Sequence, residues 1–242
     1  MPKPEELVRH VRGALESDPR ASFRRSPFEV RCEVDGTVVL EGEAENIAAK
    51  KVALELAASV PGCTGILDRL RVKPSTRMGD GAIRDAVRDA LLEEQALAVC
   101  ALRMRDRSAA KLIRASGGNR GDYIEIGVAD GVVTLNGQVE SLSHKRLVGL
   151  LAWWVPGTRD VINGIEVVPP EGDTDDEITD AVKAALQKDR LIESSSIGVS
   201  TRNSIVTLDG SLPNQRQSEM AEADAWYIFG VDGVINQLKI RA

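Results

Sequence analysis

Apolar residues recur along the chain at two spacings, and the two spacings alternate in a constant order. Over residues 7–15 the apolar positions follow the three-to-four-residue interval of an amphipathic helix. Over residues 30–34 and 38–40 every second residue is apolar, as in strands that bury one face. Asp35-Gly36 between them is typical of a hairpin turn, because both residue types tolerate positive φ. We therefore predict a helix followed by a two-stranded hairpin.

This pattern occurs three times in the chain. The segment at 35–42, Asp-Gly-Thr-Val-Val-Leu-Glu-Gly, recurs 95 residues later at 130–137 and, after a further 73 residues, at 203–210. A second apolar helix and a last strand follow each segment, and such a strand–helix–strand connection favours a parallel pairing. The sequence thus predicts an α+β protein of three tandem small domains. Each is helix–strand–strand–helix–strand, with a three-stranded mixed sheet and two helices on one face.

Two segments rich in proline and small polar residues, 73–79 and 169–174, separate the repeats. We predict domains at 1–73, 79–168 and 174–242. Domains of about 70 residues lie near the lower limit for independent stability.

The second domain is longer than the others. From the last apolar residue of its first helix to the hairpin turn there are 39 residues, against 20 and 17 in the other repeats. The extra residues lie at about 102–122 and are net +4, with six basic residues against Asp106 and Asp122, in a chain of net charge −6. The basic residues are Arg103, Arg105, Arg107, Lys111, Arg114 and Arg120.

We expect part of this insertion to form a short basic amphipathic helix that Ser108 caps and that ends at Gly117-Gly118. Such a helix is attracted to an anionic lipid surface by about 1 kcal/mol per cation. The alternative is a solvated loop that pairs with the acidic stretch at 171–180. Nucleic acid is disfavoured as a partner, because no aromatic residue lies between the arginines.

Half of the chain's aromatic residues stand at two equivalent positions of the second and third repeats: Trp153, Trp154, Trp226 and Tyr227. At about 100° per residue, Trp153 and Trp154 point to the flanks of the core-facing stripe of their helix. We expect these aromatics to pack between repeats or subunits. Anchoring at a membrane interface is the alternative.

The repeated motif is similar to a known family. Asp-Gly-x-Val-x-Leu-x-Gly, a second helix with a basic start (Lys50-Lys51, Lys145-Arg146), then Gly, Val or Ile and a polar residue before the last strand resemble the BON domain, the bacterial OsmY and nodulation family. The resemblance implies the same helix–strand–strand–helix–strand fold and a non-catalytic module that binds phospholipid surfaces. The resemblance also implies a role in osmotic stress or in the cell envelope. One cytoplasmic member of the family, which carries a LysM domain, binds potassium.

Few residues of the chain carry reactive chemistry. It has two histidines and three cysteines: His10, His144, Cys32, Cys63 and Cys100. None of them has a nucleophile, acid–base or metal-ligand partner at a characteristic spacing. We therefore expect no enzymatic activity, no metal and no cofactor, and we expect Cys32 to be a small core residue.

These observations predict a bacterial, non-enzymatic binding module that associates peripherally with anionic phospholipid in envelope or osmotic-stress maintenance. The alternative is a soluble protein that responds to a monovalent cation such as potassium, or a protein scaffold that forms a homo-oligomer. The longest apolar run, residues 148–155, is too short to span a membrane, and no apolar signal region precedes the first helix. We expect a cytoplasmic location, in solution or at the membrane surface, and a periplasmic one only if a signal segment has been removed.

Overall fold

The computed structural model describes residues 3–106, 109–118 and 121–241. It divides into two compact units, Met1–Lys73 with the first repeat and Pro74–Ala242 with the second and third. The α+β fold with three tandem domains is confirmed, because each repeat contains two helices and a mixed sheet.

The first repeat has the predicted order of elements: α1 (Pro4–Ser17), β1 (Glu29–Cys32), β2 (Thr37–Ala44), α2 (Ile47–Ser59) and β3 (Gly65–Val72). In its three-stranded sheet, β2 pairs antiparallel with β1 and parallel with β3. Leu7, Val11 and Leu15 of α1 are buried, as their spacing predicts. Val34 is 94% exposed, because β1 ends at Cys32 and the alternation does not continue to the turn.

The second repeat contains the same elements and two additional strands: α3 (Asp80–Glu93), β4 (Ala101–Asp106), β5 (Ala109–Arg114), β6 (Tyr123–Ala129), β7 (Val132–Val139), α4 (Leu142–Trp153) and β8 (Asp160–Val167). Its sheet has the order β5-β4-β6-β7-β8. The strands β6, β7 and β8 correspond to the three-stranded sheet of the first repeat. The new strands β4 and β5 extend that sheet beyond β6.

The insertion therefore forms a β-hairpin, and the prediction of a short helix is wrong. Residues 109–114 pair antiparallel with β4, which itself pairs parallel with β6. Leu102 of β4 is fully buried in the core of the repeat, so the hairpin is held by burial of apolar surface. An isolated helix of one or two turns has no comparable stabilisation in water. Ser108, the expected helix cap, lies outside the described residues.

The third repeat consists of α5 (Asp175–Lys188), β9 (Ile197–Arg202), β10 (Ile205–Leu212), α6 (Gln215–Tyr227), β11 (Gly233–Asn236) and β12 (Lys239–Ile240). The strand β10 pairs antiparallel with β9 and parallel with both β11 and β12. These two short strands together take the place of the single last strand of the other repeats.

The polar residue that the motif predicted before the last strand lies within that strand in the first two repeats and at the end of β11 in the third. In every repeat it joins the strand to the second helix. The equivalent residues are Asp68, Asn163 and Asn236. Each accepts a hydrogen bond from the backbone N–H two residues later. Each also contacts the second helix: Asp68 pairs with Lys50, whereas the amide groups of Asn163 and Asn236 donate to carbonyl oxygens of α4 and α6. In each of the three repeats, the residue at this position therefore holds the second helix against the sheet.

Candidate functional site

The β4–β5 hairpin lies at an edge of the five-stranded sheet of the second repeat, and β5 is the outermost strand. Four of the six residues of β5 are exposed. Leu112 is 56% exposed and is the partner of Arg103 in the register between the two strands. Partners in register share one face of a sheet, so Leu112, Arg103 and Arg105 lie together on the face opposite the buried Leu102.

Two of the arginines on this face make contacts within the sheet. The guanidinium group of Arg103 lies 4.5 Å from the ring centroid of Tyr123, a cation–π geometry. Arg105 Nε donates to Glu125 Oε1 at 2.6 Å, and this hydrogen bond raises the pKa of the Arg105 guanidinium. The carboxylate of Glu125 is almost fully buried, so Arg105 also neutralises a buried charge. Arg103 and Arg105 remain exposed.

Arg114 and Lys111 differ although both belong to β5. Arg114 donates to the carbonyl oxygens of Leu97 at 2.6 Å and Cys100 at 3.2 Å, so it holds the hairpin to the segment that follows α3. Lys111 is exposed and lies on the opposite face from Leu112. Arg107 and Arg120 lie outside the described residues. The candidate cations are therefore not equivalent, and the contacts of Arg114 are structural.

The acidic stretch proposed as an alternative partner of the insertion contacts other groups. Asp173 pairs with Arg146. Asp175 accepts hydrogen bonds from the backbone N–H groups of the turn between β9 and β10. Glu177 completes the capping box of α5. Each of these carboxylates thus has a partner outside the hairpin.

Three of the four candidate aromatics form the contact between the second and third repeats. The rings of Trp153 and Tyr227 stack with centroids 5.0 Å apart and an interplanar angle of 13°. Trp154 Nε1 donates to Asp224 Oδ1 at 2.8 Å, and its ring also packs against the core of the second repeat rather than only on the flank of α4. Trp226 is buried on α6, and its Nε1 has no hydrogen-bond partner among the described residues.

Polar groups reinforce this junction between the second and third repeats. Arg146, which is 3% exposed, donates to the carbonyl oxygen of Phe229 at 2.9 Å and pairs with Asp173. The ammonium group of Lys145 lies 4.2 Å from the ring centroid of Phe229, and burial lowers the pKa of Lys145. Lys188 of α5 pairs with Glu94 at 2.6 Å. The basic start of α4, noted as a sequence motif, therefore stabilises the contact between repeats.

Asp224 is the least expected residue of the junction. It is 3% exposed, and its second carboxyl oxygen, Oδ2, has no hydrogen-bond partner among the described residues. Burial raises the pKa of Asp224 to about 7, the hydrogen bond from Trp154 lowers it, and the neighbouring Asp189 raises it. The sequence contained a signal for this unusual residue, because Asp224 stands at the position that Leu56 and Leu151 occupy in the other repeats.

The described residues contain no group of three or more His, Cys, Asp or Glu side chains that could hold a metal ion. The three cysteines are free thiols; Cys32 and Cys63 are half-buried, and burial raises the pKa of Cys100. Within the described ranges, no helix has the length and apolar character needed to cross a membrane.

The chain is similar to a known family of domains and to a curated relative. A sequence model of the BON domain matches residues 5–74, 105–169 and 174–242. The osmotically-inducible protein Y of Escherichia coli (strain K12) is 33% identical over 118 residues, which are 46% of this chain and 58% of the relative. The chain thus spans somewhat more than half of the length of that relative.

Two solved structures align with most of the chain at low identity. The C-terminal domain of CdsD, a structural protein of the type III secretion system of Chlamydia trachomatis, is 13% identical with a TM-score of 0.26 over 98% of each chain. The PrgH periplasmic domain is 10% identical with a TM-score of 0.23, over 95% of this chain and 99% of the other. At these TM-scores the likeness carries no argument about this chain.

Proposed function

Since the chain belongs to the BON domain family, with three copies of the domain, we propose that it is a non-catalytic module that binds the anionic phospholipid surface of a bacterial membrane. The osmotic-stress context is part of the proposal and is supported by the name of the relative, osmotically-inducible protein Y. The proposed location is cytoplasmic, at the membrane surface.

The observation that carries this proposal is the face of the β4–β5 hairpin on which Leu112 and two arginines lie together. Peripheral membrane contact needs cations for the lipid headgroups and apolar side chains that enter the boundary of the acyl region. Leu112 is 56% exposed, and its register partner Arg103 is exposed as well. The strand-edge position places these groups at the rim of the sheet, where a planar surface has access to them.

The contacts of the cations set the expected strength of binding. Arg114 is committed to two carbonyl oxygens, and the charge of Arg105 is balanced by Glu125. We assign to the lipid surface Arg103, which shares the face of Leu112, and Arg107, which lies outside the described residues. At about 1 kcal/mol per cation they give weak binding, and because exposed charges are screened beyond about 10 Å at 0.1 M salt, this binding weakens as salt rises.

The test is co-sedimentation of the intact chain with vesicles of anionic lipid and of neutral lipid. The variant R103S/R107S removes these two cations, and the described contact of Arg103 is with the ring of Tyr123 rather than with a buried carboxylate or carbonyl group. A matched control, R9S/R12S, removes the same charge from exposed positions on α1. Binding to anionic vesicles only, lost in the hairpin variant and kept in the control, is the expected result. No binding of the intact chain at low salt would contradict the proposal.

A second candidate function is self-association through β5. An edge strand presents unpaired backbone N–H and C=O groups that a strand of another chain can pair with. Exposed Leu112 favours such pairing, whereas Lys111 opposes it by charge. Sedimentation velocity without lipid separates the two functions: Leu112→Lys abolishes a dimer if β5 forms it, and leaves a monomer unchanged if β5 only contacts lipid.

A further inference from the structure

The junction between the second and third repeats contains a buried carboxyl group with an unsatisfied oxygen. Asp224 lies on α6, and its Oδ1 accepts the indole N–H of Trp154 from the end of α4. Its Oδ2 is buried and has no partner among the described residues. A buried oxygen without a partner costs free energy, and native structures rarely keep one without a reason.

Within the described residues, no cation forms an ion pair or hydrogen bond with Asp224. The neighbouring carboxyl group of Asp189, at the C-terminal end of α5, raises the pKa of Asp224 through its charge and through a side-chain hydrogen bond. From its own helix, Tyr227 is a neutral neighbour, and the negative charge of Asp224 contributes to raising the pKa of that phenol. On β10 the one charged residue, Asp209, lies against Gly198, and β11 has no charged residue.

Two cations of the adjacent helices are engaged elsewhere. Lys188, which precedes Asp189, pairs with Glu94, and Arg146 of α4 pairs with Asp173. A second carboxylate therefore lies beside Asp224 in a low-dielectric site, and its negative charge disfavours the ionisation of Asp224. Burial and Asp189 together raise the pKa of Asp224 to about 7, within the physiological range.

We propose that the Asp224–Asp189 pair is a proton-binding site that controls the packing of the second repeat against the third. In the protonated state Asp224 accepts from Trp154 through Oδ1, and the O–H on Oδ2 donates to the Asp189 carboxylate. Loss of this one proton leaves two carboxylates facing each other, with no proton between them, beside the stacked rings of Trp153 and Tyr227. The contact between the repeats then loosens, so the junction responds to pH near neutrality.

The test follows the indole N–H signal of Trp154 by nuclear magnetic resonance in the full chain between pH 5.5 and 8.5. Trp154→Phe identifies the signal. Histidine side chains also titrate in this range, so the chain carries His10→Gln and His144→Gln throughout. The signal is expected to shift with a midpoint near pH 7. In D224N the shift is expected to disappear, because Asn keeps an acceptor for Trp154 and a donor for Asp189 but cannot ionise.

Two further variants make the result decisive. D180N, at a carboxylate that is 82% exposed on α5, is the matched control and is expected to titrate like the parent chain. D189N removes the facing charge and is expected to move the midpoint to lower pH, which tests the pair even if D224N fails to fold. A Trp154 signal that does not move with pH, that moves equally in D224N, or whose midpoint is unchanged in D189N would overturn the proposal.

Discussion

At the scale of single residues, Arg114 and Lys111 show that charge on a surface strand does not define a role. Arg114 donates to two carbonyl oxygens, whereas Lys111 is exposed on the same strand. We expect Arg114→Ala to lower the free energy of unfolding by about 1–3 kcal/mol, because buried carbonyls lose a charged donor. Lys111→Ala is expected to change it by less than about 0.5 kcal/mol. Urea unfolding followed by circular dichroism measures both, and equal losses would contradict the assignment.

The last glycine of the repeated motif has a different constraint. Gly137 has φ of +137°, and a Cβ there would lie 2.0 Å from the carbonyl oxygen of Tyr123 on the paired strand. We expect Gly137→Ala to destabilise the chain by about 3 kcal/mol or more, since the backbone itself would have to move. Gly127→Ala is the control, because its Cβ would meet no atom closer than 3.9 Å. Unchanged urea midpoints in Gly137→Ala would refute this explanation of the motif.

At the scale of elements, the polar residue of the last strand is adapted to the helix it contacts. Asp68 faces the ammonium group of Lys50 at 3.0 Å, whereas Asn236 donates to Glu222 Oε2 at 2.9 Å. We expect Asn236→Asp to destabilise the third repeat by about 1–3 kcal/mol, because two carboxylates would then meet. The control Asn163→Asp introduces the same charge beside a backbone carbonyl of α4 rather than a carboxylate. A larger loss in Asn163→Asp than in Asn236→Asp, by urea unfolding, would contradict this reasoning.

The elements also show where sequence reasoning succeeds and where it fails. The helices and the hairpin strands of each repeat follow from local periodicity, because each buries one face against its own repeat. Residues 109–114 have the sequence Ala-Ala-Lys-Leu-Ile-Arg. The spacing of the apolar residues in this short segment is compatible with an amphipathic helix and with a β-strand. Their pairing with β4, and the burial of Leu102 that holds β4, decide the structure. These interactions are not local, so the spacing alone could not predict them.

At the scale of the whole molecule, the contact between the second and third repeats depends on residues about 70 positions apart. The alignment of Trp153-Trp154 with Trp226-Tyr227 indicated that these positions differ from those of the first repeat. The stacking of Trp153 on Tyr227 could not be predicted from it. The pairing of Trp154 with Asp224 requires knowledge of how α4 and α6 approach each other. The comparison of repeats nevertheless contained a signal, since a carboxylate replaces leucine in an apolar position.

The junction predicts how stability depends on pH. A carboxyl group whose pKa is raised by folding binds its proton more tightly in the folded state, so stability falls as pH rises from about 4 to the folded pKa of about 7. Over this range Asp224 is expected to lower the free energy of unfolding by a few kcal/mol. Urea unfolding at pH 5 and pH 7.5 measures this change. It is expected to be smaller in D224N than in the parent chain and in D180N, and an equal pH dependence in all three would contradict it.

We propose that the chain binds anionic membranes through the β4–β5 hairpin. Hydrogen exchange of the unmodified full chain, followed by mass spectrometry with and without vesicles, measures which segments contact the lipid. Anionic vesicles are expected to slow exchange in peptides that cover residues 101–114, and neutral vesicles are expected to leave these peptides unchanged. Unchanged exchange over 101–114 at a lipid concentration that sediments the chain, or protection only in the first or third repeat, would contradict the account.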